Sequence, residues 1–394
     1  MTASPNRFTL LGNLKYHKDT EKNTEQENRE DPVMEKLKVG ILGATGMVGQ
    51  RFATLLADHP WFEISVLAAS PRSEGKTYEE AVLSRWKMTA PMPEQVRNMV
   101  IRNVNDVEAI AAQADMVFSA VDMSKEEIRR IEEAFAKTET PVVSNNSAHR
   151  WTEDVPMVIP EINPEHFDII EAQKKRLGTT RGFIAVKPNC SIQAYTPALA
   201  AWKEYEPYEV VASTYQAISG AGKTFADWPE MNGNVIPFIG GEEEKSEKEP
   251  LKVFGRIENG VIVPAREPVI TCQCVRIPVL NGHTASVFLR LRKKAEKEEL
   301  IEKLVSFRGY PQEKALPSAP KQFIQYCREE NRPQVSLDVD YEGGMGVSIG
   351  RLREDTVYDW KFIGLAHNTL RGAAGGAVLC AETLTSLGYI QRKP

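Results

Sequence analysis

The chain has 394 residues, 42% hydrophobic and 26% charged, with a formal net charge of -5 at pH 7. That length exceeds what one hydrophobic core usually fills, so two domains are expected, and the acidic balance offers no footprint for nucleic acid. No apolar run approaches the roughly 20 residues that cross a bilayer, and the five cysteines, an odd number in a long chain, suit a reducing cytoplasm better than a disulfide framework.

Residues 1–36 differ from the rest. The stretch from Lys18 to Glu30 is almost wholly polar and cannot bury enough surface to offset its ordering entropy, so a disordered extension is expected. A targeting helix would be poor in acids, which Glu21, Glu25, Glu27, Glu30 and Asp31 contradict. Met34, just ahead of the first strand, is an alternative start of translation.

From Leu37 the pattern becomes strand, turn, helix. Residues 37–42 form a short apolar run, Gly43-Ala44-Thr45-Gly46-Met47-Val48-Gly49 is the turn, and Phe52, Leu55 and Leu56 mark a helix face. Gly43 and Gly46 let backbone N–H groups approach a pyrophosphate at a helix N-terminus, and Gly49 permits close packing of helix on strand. The spacing GxxGxxG departs from GxGxxG, but strand before and helix after favour dinucleotide binding.

The second strand, residues 64–69, runs into Ser70-Pro71-Arg72-Ser73. An NAD-preferring fold places an acid there for the ribose 2′-hydroxyl. Ser70, Arg72, Ser73 and Lys76 offer hydroxyls and cations instead, which suit the 2′-phosphate of NADP. Strands at 115–120 and 141–144 follow, with Ser124 capping a helix over 125–135, so the sheet is doubly wound.

An apolar strand at 183–186 delivers the chain to Lys187-Pro188-Asn189-Cys190-Ser191, and residues 191–202 read as a helix. A cysteine at that junction lies in the field of a helix N-terminus, which lowers a thiol pKa. A strand at 210–215 presents Gln216 ahead of Ser219-Gly220-Ala221-Gly222, and Val275-Arg276-Ile277-Pro278 leads to His283 before a strand at 285–291. A neutral imidazole near the sulfur can take the thiol proton and then serve as acid or base on a substrate oxygen. Such a thiol adds to an aldehyde as a hemithioacetal, and hydride loss to a nicotinamide leaves a thioester. Cys272-Gln273-Cys274 has strand spacing, not the gap of a zinc knuckle, and no metal is expected.

The dinucleotide turn, Ser144-Asn145-Asn146-Ser147-Ala148-His149-Arg150, Pro188-Asn189-Cys190, Tyr215-Gln216-Ala217-Ile218-Ser219-Gly220, Gly241-Glu242-Glu243-Glu244-Lys245 and the run from Asn368 to Gly376 together resemble aspartate-β-semialdehyde dehydrogenases of the archaeal and fungal-like branch. The resemblance runs from about Leu37 to the C-terminus. It implies that Cys190 is the acyl-thioester nucleophile, His283 the acid/base and Gln216 the residue orienting the substrate. It further implies that Arg276 grips the substrate carboxylate, Glu242 the amino group, and Arg150 with Lys245 the phosphate. Thr45, Met47, Val48, Ser219 and Gly220 would join the cofactor contacts, and Asn368 would reach the nicotinamide amide.

The implied fold is α/β: a Rossmann-type doubly wound dinucleotide-binding domain (37–186 with 366–394) around an α+β catalytic and dimerisation domain (187–365). The implied reaction is NADP-dependent interconversion of L-4-aspartyl phosphate and L-aspartate 4-semialdehyde, toward lysine, threonine and methionine. The implied partners are a small-molecule substrate and inorganic phosphate, in a homodimer or homotetramer, with no nucleic acid or membrane. A malonyl-CoA or succinyl-CoA reductase of the same fold, and a non-catalytic NADP sensor, stand as alternatives.

Overall fold

The computed structural model describes residues 35–394, so the extension expected over residues 1–36 lies, apart from its last two residues, outside the described residues. Strands β1 (Leu37–Leu42), β2 (Phe62–Ala69), β3 (Arg102–Asn103), β4 (Met116–Ser119), β5 (Val142–Ser144) and β6 (Ile184–Val186) form one sheet in the order β3-β2-β1-β4-β5-β6. All its pairs are parallel. Every residue of β4, β5 and β6 is buried, as expected where helices cover both faces and strands read as unbroken apolar runs. The order reverses between β1 and β4, which opens a crevice beyond their carboxyl ends.

Helix α1 (Met47–Leu56) follows β1 and stacks Phe52 on Phe118 of β4, ring centroids 4.6 Å apart. Helix α2 (Lys125–Lys137) starts at Ser124, whose side chain accepts from the Glu127 N–H while the Glu127 carboxylate accepts from the Ser124 N–H. That reciprocal cap explains why the helix begins where it does.

The second sheet is mixed. It comprises β7 (Pro207–Gln216), β10 (Val269–Arg276), β11 (His283–Leu291), β12 (Ile324–Cys327), β13 (Val347–Glu354) and β14 (Trp360–Ala366), in the order β10-β7-β11-β14-β13-β12. The hairpin β8 (Arg256–Glu258) with β9 (Val261–Val263) stands apart. Burial alternates strictly along β11 and nearly so along β10, so one face of the sheet is packed and the other open. Helix α3 (Glu242–Val253) precedes β8. The packed face receives the segment after Cys190: a side-chain carbon at Gly364 would lie 1.8 Å from the Ala194 carbonyl oxygen, so the chain presses flat on β14.

Helix α4 (Ala374–Ser386) returns to the first sheet. Its Ala374, Ala377, Val378, Ala381 and Leu384 share a core with Phe52, Leu56 and Phe118. Gly376 permits that approach, since a Cβ there would meet the Arg371 carbonyl oxygen at 2.5 Å and Lys187 Cε at 2.6 Å. Just ahead of α4, Arg371 forms a two-pronged buried pair with Glu161, at 2.6 and 2.9 Å.

Candidate active site

The crevice at the β1/β4 reversal is a cleft of about 210 Å³ lined by Gly43, Thr45, Gly46, Ser70, Arg72 and Arg85 and by residues 120–123. Gly43 holds φ +83°, and a Cβ there would lie 2.3 Å from the Ala120 carbonyl oxygen. The missing side chain lets the turn pass tight against the backbone that follows β4, at the start of α1 where a pyrophosphate would sit. Met47 and Val48 open α1 rather than line the cleft. Lys76 is not among the lining residues either, and Ser73 is buried.

Arg85 is a residue that the sequence reading missed. Its Nε donates to the Ala81 carbonyl at 2.9 Å and its Nη2 lies 3.5 Å from Ser73 Oγ. Buried Gln50 fixes its backbone, donating from Nε2 to the carbonyls of Thr45 and Arg85 and accepting the Lys87 N–H. Neither Arg72 nor Arg85 has a carboxylate partner among the described residues. The cleft therefore fits a dinucleotide with an extra phosphate.

Cys190 leaves β6 after Lys187-Pro188-Asn189 and is the one cysteine of five that is only partly buried. No continuous helix starts there, contrary to expectation. Ser191–Ala194 is a 3-10 turn, Tyr195 breaks the pattern at φ -139°, and the α-helix runs only over Thr196–Ala201 with Pro197 in its first turn. Without an aligned helix dipole the thiol is not activated locally. Burial, and next the Glu242 carboxylate, push it up to about 11, against the pull of Lys187, Arg150 and Arg276. The lowered thiol pKa expected from the sequence is corrected accordingly.

His283, the first residue of β11, sets Nε2 3.3 Å from Cys190 Sγ and is fully buried. Its Nδ1 accepts the Ala217 backbone N–H at 3.0 Å. An N–H can only donate, so Nδ1 carries the lone pair and the proton of the neutral ring sits on Nε2, facing the sulfur. Burial, and next the Arg276 charge, hold the imidazole well below its usual range. The ring is therefore neutral where it faces the sulfur.

Around this pair stand the groups matched to substrate. Arg276, at the end of β10, is buried, gives Nη1 to the Ala217 carbonyl at 2.7 Å, and forms no ion pair among the described residues. Gly220 leaves its space free, since a Cβ would come within 3.0 Å of that Nη1. Glu242, the first residue of α3, accepts from Lys245 Nζ at 2.7 Å, Asn189 Nδ2 at 3.0 Å and Gln216 Nε2 at 3.3 Å. The acidic run is thus a helix start folded into the pocket, with Glu242 inside and Glu243 and Glu244 elsewhere.

Two expected contacts are redirected. Arg150 is buried and committed to protein: Nη1 to Glu249 at 2.9 Å, Nε to the Lys187 carbonyl at 3.0 Å and Nη2 to the Asn145 carbonyl at 3.1 Å. Glu249 also accepts the Asn189 N–H at 2.5 Å, so Arg150 holds the backbone beside Cys190 instead of presenting its cation to phosphate. Asn368 gives Nδ2 to Ser219 Oγ and takes the Gly282 N–H on Oδ1, both at 2.8 Å, while Ser219 Oγ donates to Asn281 at 2.8 Å. These bonds lock the loop before His283, and in this structure the Asn368 amide is spent there.

Lys187 is the other residue that sequence reading passed over. Its ammonium is buried with a single acceptor among the described residues, the Pro188 carbonyl at 3.1 Å. Burial draws it down to about 7, with Cys190 the main opposing influence. The signal was present in the sequence as a lysine extending an otherwise apolar buried strand.

A sequence profile described as semialdehyde dehydrogenase, NAD binding domain, matches residues 38–170, and one described as semialdehyde dehydrogenase, dimerisation domain, matches residues 198–371. An aspartate-semialdehyde dehydrogenase from Methanothermobacter thermautotrophicus is 44% identical over 89% of this chain and 99% of its own length. One from Aspergillus fumigatus is 39% identical over 90% and 99%. The crystal structure of the Candida albicans aspartate semialdehyde dehydrogenase with NADP is 37% identical and superposes with a TM-score of 0.81, covering 90% of this chain and all of that one. With the dinucleotide crevice, the facing cysteine and histidine, and relatives matched along nearly their whole length, the chain belongs to the aspartate-semialdehyde dehydrogenase family.

Proposed function

We propose that Cys190 carries the acyl group in an NADP-dependent interconversion of L-4-aspartyl phosphate and L-aspartate 4-semialdehyde. The observation that supports this most is the set of charges around the sulfur. Arg276 without an ion pair suits a carboxylate by a planar fork, and Glu242 suits an ammonium, so the pocket complements the two ends of an aspartyl group. Lys245, now on Glu242, is the cation available to the phosphate once a substrate ammonium takes its place. Gln216 bonds Glu242 and lies on the wall that orients the acyl chain.

NADP, when bound, supplies or takes the hydride; Gly43, Thr45 and Gly46 would hold its pyrophosphate, and Ser70, Arg72 and Arg85 its 2′-phosphate. The protein's own groups do the rest: the Asn189–Glu249–Arg150 bonds fix the cysteine loop, and the Asn368–Ser219–Asn281 bonds fix the histidine loop. The open face of the second sheet, with Val269 63% and Tyr215 36% exposed on adjacent strands, supports a homodimer that buries it, alone or within a homotetramer. Five free cysteines support a cytoplasmic setting.

The test is a comparison of substrates with purified protein. Aspartate semialdehyde with NADP and inorganic phosphate should be oxidised, and malonyl-CoA or succinyl-CoA with NADPH should not be reduced. The reverse pattern would favour a CoA-thioester reductase, and inactivity on all of them with NADP still bound would favour a sensor.

A further inference from the structure

We propose that Cys272 and Cys274 form a reversible dithiol–disulfide couple, oxidised by a small hydroperoxide, whose closure distorts the acyl pocket and lowers turnover. Neither thiol takes part in the reaction at Cys190, so the site lies beyond the function proposed above.

The geometry carries it. Burial alternates along β10, so Ile270, Cys272, Cys274 and Arg276 share its packed face. The two sulfurs lie 3.8 Å apart. Cys274 is fully buried, whereas Cys272 keeps 8% exposure on an edge strand, the side from which a small oxidant reaches the pair. Thr214 Oγ1 donates to Cys274 Sγ at 3.1 Å, and Ser246 Oγ lies 3.7 Å from the same sulfur. The hydrogen bond between the two thiols draws Cys274 down and pushes Cys272 up. One sulfur is thus the readier nucleophile and its neighbour keeps the proton, the division that disulfide formation uses.

The pair is joined to the acyl pocket by three routes. Thr214 Oγ1 accepts from Gln216 Nε2 at 3.2 Å, and the same nitrogen bonds Glu242. Ser246 Oγ lies 3.0 Å from Ser191 Oγ, which donates to Asn189 Oδ1 at 2.6 Å beside Cys190. Glu243 and Glu247 accept the N–H groups of Cys274 and Cys272 at 3.3 and 3.0 Å, so the helix that begins at Glu242 is tied to this strand. A disulfide brings its sulfurs to about 2.0 Å, and Cα atoms two apart on a strand, roughly 6.6 Å, stand at the upper end of what it spans. Closure therefore shortens β10 just ahead of Arg276 and takes from Thr214 the thiol that it bonds. A bond strained in this way is readily reduced, which makes the couple reversible.

The step balances. The Cys274 sulfur gives up its proton and attacks one oxygen of hydrogen peroxide; the O–O bond breaks, and the departing hydroxide takes that proton as water, leaving a sulfenic acid. The Cys272 sulfur then attacks the oxidised sulfur, the S–O bond breaks, and the second hydroxide leaves with the Cys272 proton. Two thiols lose two electrons, and the peroxide is reduced to two waters.

The test treats the full chain with graded hydrogen peroxide and digests it without reductant. The peptide carrying both cysteines should become two hydrogens lighter, return to its reduced mass with dithiothreitol, and behave identically in Cys190→Ser, where the reactive thiol of the pocket is gone. Over the doses at which Cys190 stays reduced by mass, turnover with whichever substrate proves active should fall by about 10²-fold, the cost of displacing active-site groups by an ångström, and recover with dithiothreitol. Cys272→Ala should start from wild-type activity and keep it over those doses. Oxidation of Cys190 at doses that leave the pair reduced, a disulfide that leaves turnover unchanged, or an equal loss in Cys272→Ala would each overturn the proposal. If Cys272→Ala fails to fold, the match between disulfide content and lost turnover in the wild type decides.

Discussion

The two halves of the active centre are built on different principles. The dinucleotide cleft is local: the turn from Gly43 to Gly46 lies between β1 and α1, and its partners Ser70 and Arg72 follow the adjacent strand β2. The acyl pocket is assembled from distant segments: Cys190 after β6, Gln216 at the end of β7, Glu242 on α3, Arg276 on β10 and His283 on β11. In the first region a residue's role follows from its neighbours in sequence. In the second it follows from which backbone group happens to face it in space, as the Ala217 N–H faces His283.

The largest effect that would sharpen this contrast is separation of chemistry from cofactor binding. Cys190→Ser should reduce turnover at least about 10⁴-fold, because the covalent intermediate disappears. NADP affinity should stay within about twofold, since no cleft residue touches the sulfur. A tenfold loss of NADP affinity, measured by fluorescence titration, would show that the two regions are not independent.

Next comes Arg150, where local reading and spatial placement disagree most. Methionine at this position leaves the Glu249 carboxylate buried and unpaired, which costs about 3–5 kcal/mol. Thermal unfolding should reveal it, and Arg150→Met with Glu249→Gln should recover most of the loss, because the neutral amide still accepts the Asn189 N–H. A single variant that melts like wild type but raises KM for phosphate alone would return Arg150 to the phosphate.

These cases show what the sequence could and could not reveal. Alternating and continuous apolar runs marked β1, β2, β4, β5, β7 and β11 to within a few residues, and Ser124 marked the start of α2, because these signals are local. The chemistry-bearing side chains were also legible as a set of residue types. Roles were less so. That the segment after Cys190 would break into a 3-10 turn goes with Ala194 being pressed on Gly364 of β14, a packing effect. That Asn368 would bind the histidine loop depends on Ser219, 149 residues away in sequence. Arg85 was missed because it enters the cleft only through Gln50, a bond between α1 and a loop 35 residues further on.

Lys187 joins the two regions, since its stem runs beneath Gly376 and its amine lies near Cys190. Folding moves the amine from 10.5 to about 7. Between those pH values the unfolded chain holds the extra proton, so stability rises with pH across the window; below about 7 both states are protonated and the penalty is constant. Lys187→Met should remove it, gaining on the order of 4 kcal/mol over wild type at pH 7, with the gap closing toward pH 10. Urea unfolding at both pH values gives the comparison, and a gap independent of pH would mean that the folded amine titrates like an exposed lysine.

The smallest effect concerns the cleft alone and asks whether its reading is as local as it looks. Ser70→Asp with Arg72→Ala repels the 2′-phosphate and removes one guanidinium, at a cost of about 1.5–3 kcal/mol, or roughly ten- to hundredfold in NADP affinity. NAD, which lacks that phosphate, should lose little. Arg85 is not a neighbour of Arg72 in sequence but lines the same cleft, so the double variant should keep a residual preference for NADP that Arg85→Ala then removes. Titration of the three variants with both cofactors separates the possibilities. If Ser70 and Arg72 alone abolish the preference, phosphate recognition is confined to the loop after β2. If the double variant leaves the NADP to NAD ratio unchanged, the loop does not read the phosphate. A stepwise loss completed only with Arg85 would show that even the legible half of the site has one contact that only the fold brings into place.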